Sequence, residues 1–381
     1  MDRRILVPGI APVQADFVSL CREYGFSVFT CANSERGPAR ALSHGFELID
    51  ITHREGVLAY ARSVGADLVY TVGSDMAMPT VCWVSEQMGL PRFVSSRTAE
   101  VCNSKHLLRE RLGREYRWNL RFQVLESPEE ALEIPFPLVL KPVDSQGQRG
   151  VRFAASPGEV PALFAESVSF SRSGKVIAEE LVEGPEVAVT AYLAEGRLLS
   201  CLPVDRVSWP QFPGGILRKV VFPSQLCASP ALAAEIRLLA EETAARLEIR
   251  NGPMGLQVKM GPMGPRLIEA TPRFGGAHFW RLQKLKTGKD KMRVALDHLL
   301  GRLPSEDSFP EHRNGDTWEL EFFCDHPDVP FDPDKFDASG AEYLQWYYSR
   351  GERIARATGL YEKTGYMIRR GEGTGAPGTC R

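Results

Sequence analysis

Short apolar strands that alternate with amphipathic helices limit the fold of this chain more than any other feature. Over residues 1–98 the hydrophobic pattern predicts strands at 4–9, 26–30, 46–51 and 67–72, and helices at 13–24, 55–64 and 79–88. Because this alternation produces a parallel sheet with helices on both faces, we predict an N-terminal α/β domain. The first strand-to-helix turn, Pro8-Gly9-Ile10-Ala11, lacks the Gly-x-Gly-x-x-Gly fingerprint, which argues against a dinucleotide site.

The carboxyl ends of these predicted strands mark where a small ligand would bind. Open α/β sheets bind ligands beyond those ends, which here means around Gly9 and the run Gly73-Ser74-Asp75. Two roles are open for Asp75: contact with a polar substrate, or capping of the helix that follows. Aspartate is a preferred helix N-cap, so we expect the capping role.

The composition is that of an ordinary soluble globular protein. A length of 381 residues suggests two or three domains, and a formal net charge of -2 gives no support for a nucleic-acid or anionic-membrane partner. No apolar run reaches the length of a membrane span, and the eight cysteines form no Cys-x-x-Cys pair. We therefore expect a cytoplasmic protein with free thiols.

A glycine-rich hairpin between Gly252 and His278 carries the strongest chemical signal. Two short apolar strands, at 255–260 and 265–270, flank a Gly-Pro-Met-Gly turn. Because side chains alternate between the faces of a strand, pairing of the two strands can bring Gln257 close to Glu269.

This pair and the residues that follow it suit a metal ion and an anion. The Gln257 amide oxygen, the Glu269 carboxylate and the Thr271 hydroxyl are hard oxygen ligands of the kind that Mg2+ prefers when it carries nucleotide phosphates. Arg273 supplies a fixed positive charge, and Gly275-Gly276 supplies backbone that an anion can approach closely. An ordinary hairpin with a stray acid is the alternative interpretation.

A lysine at the end of an apolar strand is the second signal. Residues 136–142 predict this strand, and residues 144–151 after it form a loop rich in glycine and small polar residues. Such a loop can close over phosphates with its N–H groups, and Lys141 is placed to bind a phosphate as a point charge. The Walker signature is absent, and a loop without a ligand is the alternative.

Residues 175–189 predict a strand, a turn and a second strand. The backbone of residues 180–182 can pair with the edge of an adenine, and the carboxylate of Glu186 can accept hydrogen bonds from ribose hydroxyls. An edge hairpin at 190–202 and an amphipathic helix at 232–247 are predicted to follow.

The last eighty residues are less informative. They predict strands at 317–324 and 365–369, and an aromatic run at 343–348 that is a helix or a strand packing its rings into the core. Residues 371–381 have the composition of a disordered tail.

The order of these parts resembles the ATP-grasp superfamily. A lysine at a helix start, a lysine at a strand end and a glycine-rich loop come first. Glu-Glu-x-x-x-Gly-x-Glu from Glu179 and Glu-x-x-Pro-Arg-x-Gly-Gly from Glu269 follow. Within the superfamily, the chain is most similar to carboxylate–amine ligases and to the synthetase units of the carbamoyl phosphate synthetase large subunit. The resemblance covers about residues 1–300 and includes a preceding α/β domain.

The resemblance implies a chain of the α/β and α+β classes in three parts. Residues 1–98 would be an N-terminal parallel α/β domain, and residues 99–300 an ATP-grasp fold in which two α+β subdomains clasp ATP. About residues 115–182 would form the lid subdomain that carries the glycine-rich loop. Residues 301–381 would be a small C-terminal α+β subdomain with a flexible tail.

The resemblance also implies which residues contact ATP. Lys105 and the catalytic Lys141 would contact its phosphates. The loop that includes Ser145, Gly147 and Gly150 would close on the β- and γ-phosphates.

The nucleoside would lie against the strand–turn–strand segment. By the same resemblance, Glu179, Glu180 and Val182 would line the adenine, and Glu186 would hold the ribose.

The implied metal site departs from the family pattern at two positions. Gln257, Glu269 and Thr271 would hold Mg2+, with Mn2+ as an alternative ion, and the catalytic Arg273 would steady the phosphorylated intermediate. Most of the superfamily has an acidic residue where this chain has Gln257, although the carbamoyl phosphate synthetases are similar in having glutamine. Asparagine is usual at the position of Thr271, whose hydroxyl is a weaker ligand, so Mg2+ would depend more on ATP oxygens and water.

The implied activity is that of an ATP-dependent ligase. It would activate a carboxylate as an acyl phosphate and join it to an amine, releasing ADP and phosphate. Two alternatives stay open: an enzyme that phosphorylates bicarbonate or a carbamate, and an ATP-binding regulatory protein without catalysis. The expected partners are small-molecule carboxylate and amine substrates, with no nucleic acid and no membrane, and a homodimer is compatible with the resemblance.

Overall fold

The first part of the chain forms the expected parallel sheet. The computed structural model describes residues 3–130, 132–145, 149–211, 216–310, 316–356 and 361–371. The first elements are β1 (Arg4–Pro8), α1 (Pro12–Glu23), β2 (Ser27–Ala32), α2 (Pro38–Leu42), β3 (Gly45–Leu48), α3 (Arg54–Ser63), β4 (Leu68–Val69) and α4 (Met78–Met88). The strand order is β3-β2-β1-β4, and every pairing is parallel.

Two details of this sheet differ from the prediction. The strand predicted at 67–72 is wrong beyond Val69. The Thr71 hydroxyl donates to the Pro8 carbonyl oxygen at 2.6 Å, so a side chain replaces the backbone ladder there. The hydrophobic pattern missed α2, because a helix of five residues is too short to display a helical period.

A second sheet covers the part of the chain predicted to be the lid. Two helices lead to it, α5 (Ser96–Asn103) and α6 (Lys105–Leu112). Its elements are β5 (Phe122–Leu125), β6 (Leu138–Pro142), β7 (Arg152–Ala154), α7 (Val160–Val168) and β8 (Val176–Glu180). The strands pair antiparallel in the order β5-β8-β6-β7, and Phe164 of α7 joins Leu138 and Leu140 in one buried cluster. The lid boundaries of 115–182 remain a prediction.

The third and largest sheet has eight strands in the order β13-β12-β9-β10-β11-β14-β16-β15. Its elements are β9 (Glu186–Ala194), β10 (Arg197–Ser208), β11 (Leu217–Phe222), α8 (Pro230–Arg246), β12 (Gly252–Gly261), β13 (Gly264–Thr271), α9 (Phe279–Thr287), α10 (Lys291–Leu299), β14 (Trp318–Asp325), β15 (Tyr343–Trp346) and β16 (Glu362–Arg370). The hairpin predicted at 190–202 forms between β9 and β10, but its predicted position at the edge of the sheet is wrong. β9 lies between β12 and β10 and is buried along most of its length, as an interior strand must be.

The C-terminal strands continue this sheet. β14 pairs with β11, and β16 pairs with both β14 and β15. The aromatic run at 343–348 is therefore a strand in its first four residues. A domain boundary at 300 remains a prediction, and residues 372–381 lie outside the described part of the chain.

One hydrophobic core joins the N-terminal sheet to the large sheet. It contains Ile5 and Phe17 from the first sheet and its helices, Val189 from β9 and Met254 from β12. Within the described ranges, no helix combines the length and the apolar character needed to cross a membrane.

Candidate active site

A buried carboxylate on the second sheet binds two cationic side chains from other elements. Glu179 lies on β8 with a side chain only 1% exposed, and it accepts hydrogen bonds from Arg109 Nε at 2.6 Å and Lys141 Nζ at 2.5 Å. Burial alone would raise the pKa of Glu179, but Arg109 and Lys141 lower it to about 2. The carboxylate therefore faces two cations of the protein. Contact between Glu179 and an adenine stays a prediction, and the structure adds that Arg109 and Lys141 each donate to one of its oxygens.

Arg109 is the residue of this cluster that the sequence did not reveal. Its guanidinium also donates to the backbone oxygens of Leu267 at 2.9 Å and Ile268 at 2.7 Å. It thus ties α6 both to β8 and to the hairpin of β12 and β13, called the metal-site hairpin because the metal ligands are predicted on it. Its only sequence signal is its position four residues after Lys105 on one helix face.

Lys105 and Lys141 approach the glycine-rich loop from different elements. Lys105 is the first residue of α6, and its Nζ donates to the backbone oxygen of Ser145 at 2.5 Å. Burial lowers the pKa of Lys105, and the charge of Lys141 lowers it further, while Glu269 and Glu179 raise it. Four predicted site residues therefore lie within electrostatic reach of one another.

The glycine-rich loop is fixed at both of its described ends. Asp144 accepts hydrogen bonds from Ser171 Oγ, Arg172 N and Ser173 N at 2.9–3.1 Å. At the other end, Gly150 has φ +76°, and a Cβ there would lie 2.7 Å from Pro142 Cγ, so only glycine fits.

The top of the loop is only partly described. Ser145 is buried, and its Oγ has no hydrogen-bond partner among the described residues. Gly147, predicted as a phosphate contact, lies outside them.

The metal-site hairpin pairs as the sequence predicts. Gln257 on β12 lies opposite Glu269 on β13, and Thr271 lies opposite Gly255, so these side chains share one face. Glu269 is exposed and forms no hydrogen bond or ion pair with a described residue. A Cβ at Gly255 would make a tight contact of 3.0 Å with Thr271 Oγ1.

Glu186 anchors the glutamine of this pair. The Gln257 amide nitrogen donates to Glu186, whose carboxylate also contacts Arg206 at 3.0 Å and Lys259 at 4.0 Å. Because a carboxylate can only accept, the Gln257 amide oxygen points away from Glu186 and has no hydrogen bond among the described residues. The side chain of Glu186 is 11% exposed, and its contact with a ribose stays a prediction.

The segment predicted to meet an adenine has one backbone donor to offer. The N–H groups of Glu180 and Leu181 bond to the oxygens of Arg121 at 3.0 Å and Pro137 at 3.1 Å. The N–H of the next residue, Val182, forms no hydrogen bond with a described residue and is therefore the donor left for an adenine. The adenine contacts of Glu180 and Val182 remain predictions.

Arg273 joins the N-terminal sheet to the loop after β13. Its guanidinium binds both oxygens of Asp75, with the Nε–Oδ1 distance 2.8 Å. The expectation that Asp75 caps α4 is wrong: the cap position is Ala77, and the carboxylate of Asp75 is engaged by Arg273. Gly276 also packs on Gly73. A Cβ at Gly73 would lie 3.1 Å from the Gly276 Cα, so the two glycines allow the backbones to pack closely.

Comparison with known proteins identifies the architecture. No protein-family model matches the chain. It is 26% identical over 341 residues to carnosine synthase 1 of Gallus gallus, a match that covers 81% of this chain and 36% of that protein. It is 32% identical over 137 residues to an ATP-grasp enzyme of Aspergillus fumigatus, which covers 32% of this chain and 23% of that protein. The solved L-amino acid ligase from Bacillus licheniformis matches with a TM-score of 0.79 at 18% identity, covering 97% of this chain and 93% of that one.

These matches confirm the resemblance drawn from the sequence. One relative is named an ATP-grasp enzyme, and the solved ligase shares the fold of nearly the whole chain, so the chain has the ATP-grasp fold. The match covers 36% of the carnosine synthase, so the chain spans about a third of the length of that protein.

Proposed function

We propose that this chain, with its ATP-grasp fold and ATP-grasp relatives, is an ATP-dependent carboxylate–amine ligase. It activates a carboxylate as an acyl phosphate and joins it to an amine, and ADP and phosphate leave. The proposal is supported by relatives and structural neighbours that are carboxylate–amine ligases, among them the carnosine synthase and the L-amino acid ligase.

The convergence of three separate elements carries this proposal. Lys105 of α6, Lys141 of β6 and Glu269 of β13 lie close enough that both other charges shift the pKa of Lys105. Two cations facing one exposed carboxylate suit a polyphosphate that bridges the lysines and a metal ion.

The donor set fits Mg2+ as a shared ligand rather than as an ion caged by protein. Glu269 and the amide oxygen of Gln257 are the protein groups that would hold it. No three His, Cys, Asp or Glu side chains gather into a metal site within the described ranges, so phosphate oxygens and water would complete the shell. When bound, ATP would supply the phosphoryl group, and Mg2+ would offset the negative charge on the phosphate oxygens.

The protein's own part is to position groups and exclude water. Lys105 and Lys141 neutralise charge that grows on the phosphate oxygens, and Glu179 holds Lys141 in place. Arg273, fixed by Asp75, presents a positive charge to the acyl phosphate. The loop between Asp144 and Gly150 closes over the site, because an acyl phosphate hydrolyses in water.

A panel of substrates tests the proposal. The enzyme is incubated with Mg-ATP, one small carboxylic acid and one amino acid at a time, and phosphate and amide products are measured. Phosphate release that needs both an acid and an amine, with an amide in equal amount, is the expected result. Phosphate release with bicarbonate alone would favour the alternative that phosphorylates bicarbonate. No release with any pair would favour an ATP-binding regulatory protein.

A further inference from the structure

Three side chains from distant parts of the sequence form a hydrogen-bonded row. His278, directly before α9, contacts Asp16 of α1 through Nδ1 at 2.9 Å. Through Nε2 it contacts the hydroxyl of Tyr347, directly after β15, at 2.8 Å.

The direction of each hydrogen bond follows from what each group can donate. A carboxylate only accepts, and the other oxygen of Asp16 already accepts from Arg281 at 2.7 Å. His278 Nδ1 therefore carries the hydrogen, which leaves Nε2 as an acceptor. The Tyr347 hydroxyl must then donate to His278. This is the carboxylate–imidazole–hydroxyl arrangement by which hydrolases activate a hydroxyl group.

The imidazole at the centre of the row is held rigidly. His278 is 1% exposed, and its ring stacks on Tyr366 at 4.3 Å with an interplanar angle of 15°. Its φ of +51° is unfavourable for a residue other than glycine, so the surrounding contacts must enforce this conformation. Burial lowers the pKa of His278, and the charges of Lys363 on β16 and Arg281 on α9 lower it further, against the opposing effect of Asp16. A neutral imidazole can accept a proton.

The row is connected to the candidate site through the loop after β13 and through one buried cluster of the large sheet. His278 follows Arg273 by five residues in the loop that docks on Asp75. On the large sheet, Tyr347 packs against a buried cluster that contains Val204 of β10. Val204 and Arg206 lie on the same face of β10, and Arg206 pairs with Glu186. Asp16 and Tyr347 are both partly exposed, but His278 and Arg281 engage both oxygens of Asp16, so the Tyr347 hydroxyl is the end of the row left for a substrate.

We propose that Tyr347, backed by His278 and Asp16, takes the proton that the amine loses when it attacks the acyl phosphate. The inference rests on the proposed ligase function. The amine enters as the free base, and its lone pair forms the C–N bond as the C–O bond to phosphate breaks. Phosphate leaves with that electron pair. One N–H proton passes to the Tyr347 oxygen as the phenolic proton moves to His278 Nε2, and Asp16 stabilises the resulting imidazolium.

Hydroxylamine separates this role from a structural one. Hydroxylamine is a strong nucleophile that attacks acyl phosphates without the help of a base, so hydroxamate formation reports carboxylate activation alone. Tyr347→Phe keeps the ring and removes the hydroxyl, and His278→Gln keeps hydrogen-bonding groups that cannot take a proton. Tyr343→Phe is the matched control, because its hydroxyl contacts Gln345 at 3.2 Å on the same strand.

The expected result is a change in the ratio of two products. With the acid and amino acid that the wild type joins, Tyr347→Phe and His278→Gln should form amide about 100-fold more slowly, within the range expected for a lost general base. Both should form hydroxamate at nearly the wild-type rate, and Tyr343→Phe should form both products normally. Equal loss of both products, or no loss of amide formation, would overturn the role of Tyr347. A wild type that forms neither product would instead refute the ligase function itself.

Discussion

Replacement of Glu179 by glutamine should destabilise the protein more than the loss of any exposed ion pair. The wild-type carboxylate lies between Arg109 and Lys141 with a side chain 1% exposed. Glutamine has nearly the same shape but no charge, so Glu179→Gln would leave two cations without their counter-ion in a buried place. Removing one partner of a buried pair costs about 3–5 kcal/mol.

The pKa of Glu179 gives a second, independent value for the stability that this carboxylate contributes. The carboxyl has an ordinary pKa of 4.5, and Arg109 and Lys141 lower it to about 2 against the effect of burial. At about 1.4 kcal/mol per pH unit, this difference corresponds to roughly 3 kcal/mol of folding stability. Because the folded pKa is the lower one, the stabilisation is fully present above pH 4.5 and is lost as the pH falls toward 2.

Thermal unfolding of Glu179→Gln at neutral pH measures this effect. The control is Glu166→Gln, which breaks a 2.5 Å ion pair with Arg152 in the same part of the chain. The Glu166 side chain is 55% exposed, so this pair differs from that of Glu179 mainly in its exposure. The control should cost less than about 1 kcal/mol, because exposed pairs contribute little. The difference in melting temperature between the wild type and Glu179→Gln should also shrink as the pH falls below 4.5. Equal melting temperatures for Glu179→Gln and the control would refute the reasoning.

Three other changes have definite expected results. Lys141→Ala should lower kcat/KM for ATP by about 100-fold or more, since a preorganised positive charge is lost; ATP kinetics like those of the wild type would remove Lys141 from the site. Glu269→Gln should abolish turnover in a way that added Mg2+ cannot restore, whereas Thr271→Ala should be mild; the reverse order in a phosphate-release assay would show the metal site to be misplaced. Gly184→Ala should lower the melting temperature far more than Gly158→Ala. A Cβ at Gly184 would lie 2.1 Å from the Met260 oxygen at a φ of +141°, whereas nothing lies within 4 Å at Gly158.

The sequence revealed the parts of this protein whose signal is local. The alternation of strands and helices predicted the first sheet, and the turn between the two strands of the metal-site hairpin predicted the pairing of Gln257 with Glu269. Both depend on hydrogen bonds between segments that are close in the chain or on the period of a single element.

The contacts that fix the site come from distant segments, and the sequence did not reveal them. Arg109 reaches Glu179 across 70 residues, and Arg273 reaches Asp75 across 198. A lone arginine on a helix and an aspartate before one carry no sign of such partners, so the local expectation of a helix cap at Asp75 was wrong. The interior position of β9 was missed for the same reason, because strand order depends on long-range pairing.

Transfer of oxygen from the acid substrate to phosphate tests the central claim most directly. A carboxylate that attacks the γ-phosphoryl group keeps its own oxygen bonded to phosphorus, and that oxygen leaves with phosphate when the amine displaces it. The acid found in the substrate panel is labelled with oxygen-18 in its carboxylate, and the released phosphate is analysed by mass spectrometry. One labelled oxygen in each phosphate, formed together with amide, is the predicted result. Phosphate that carries no label while amide accumulates would contradict an acyl phosphate, and with it the proposed mechanism.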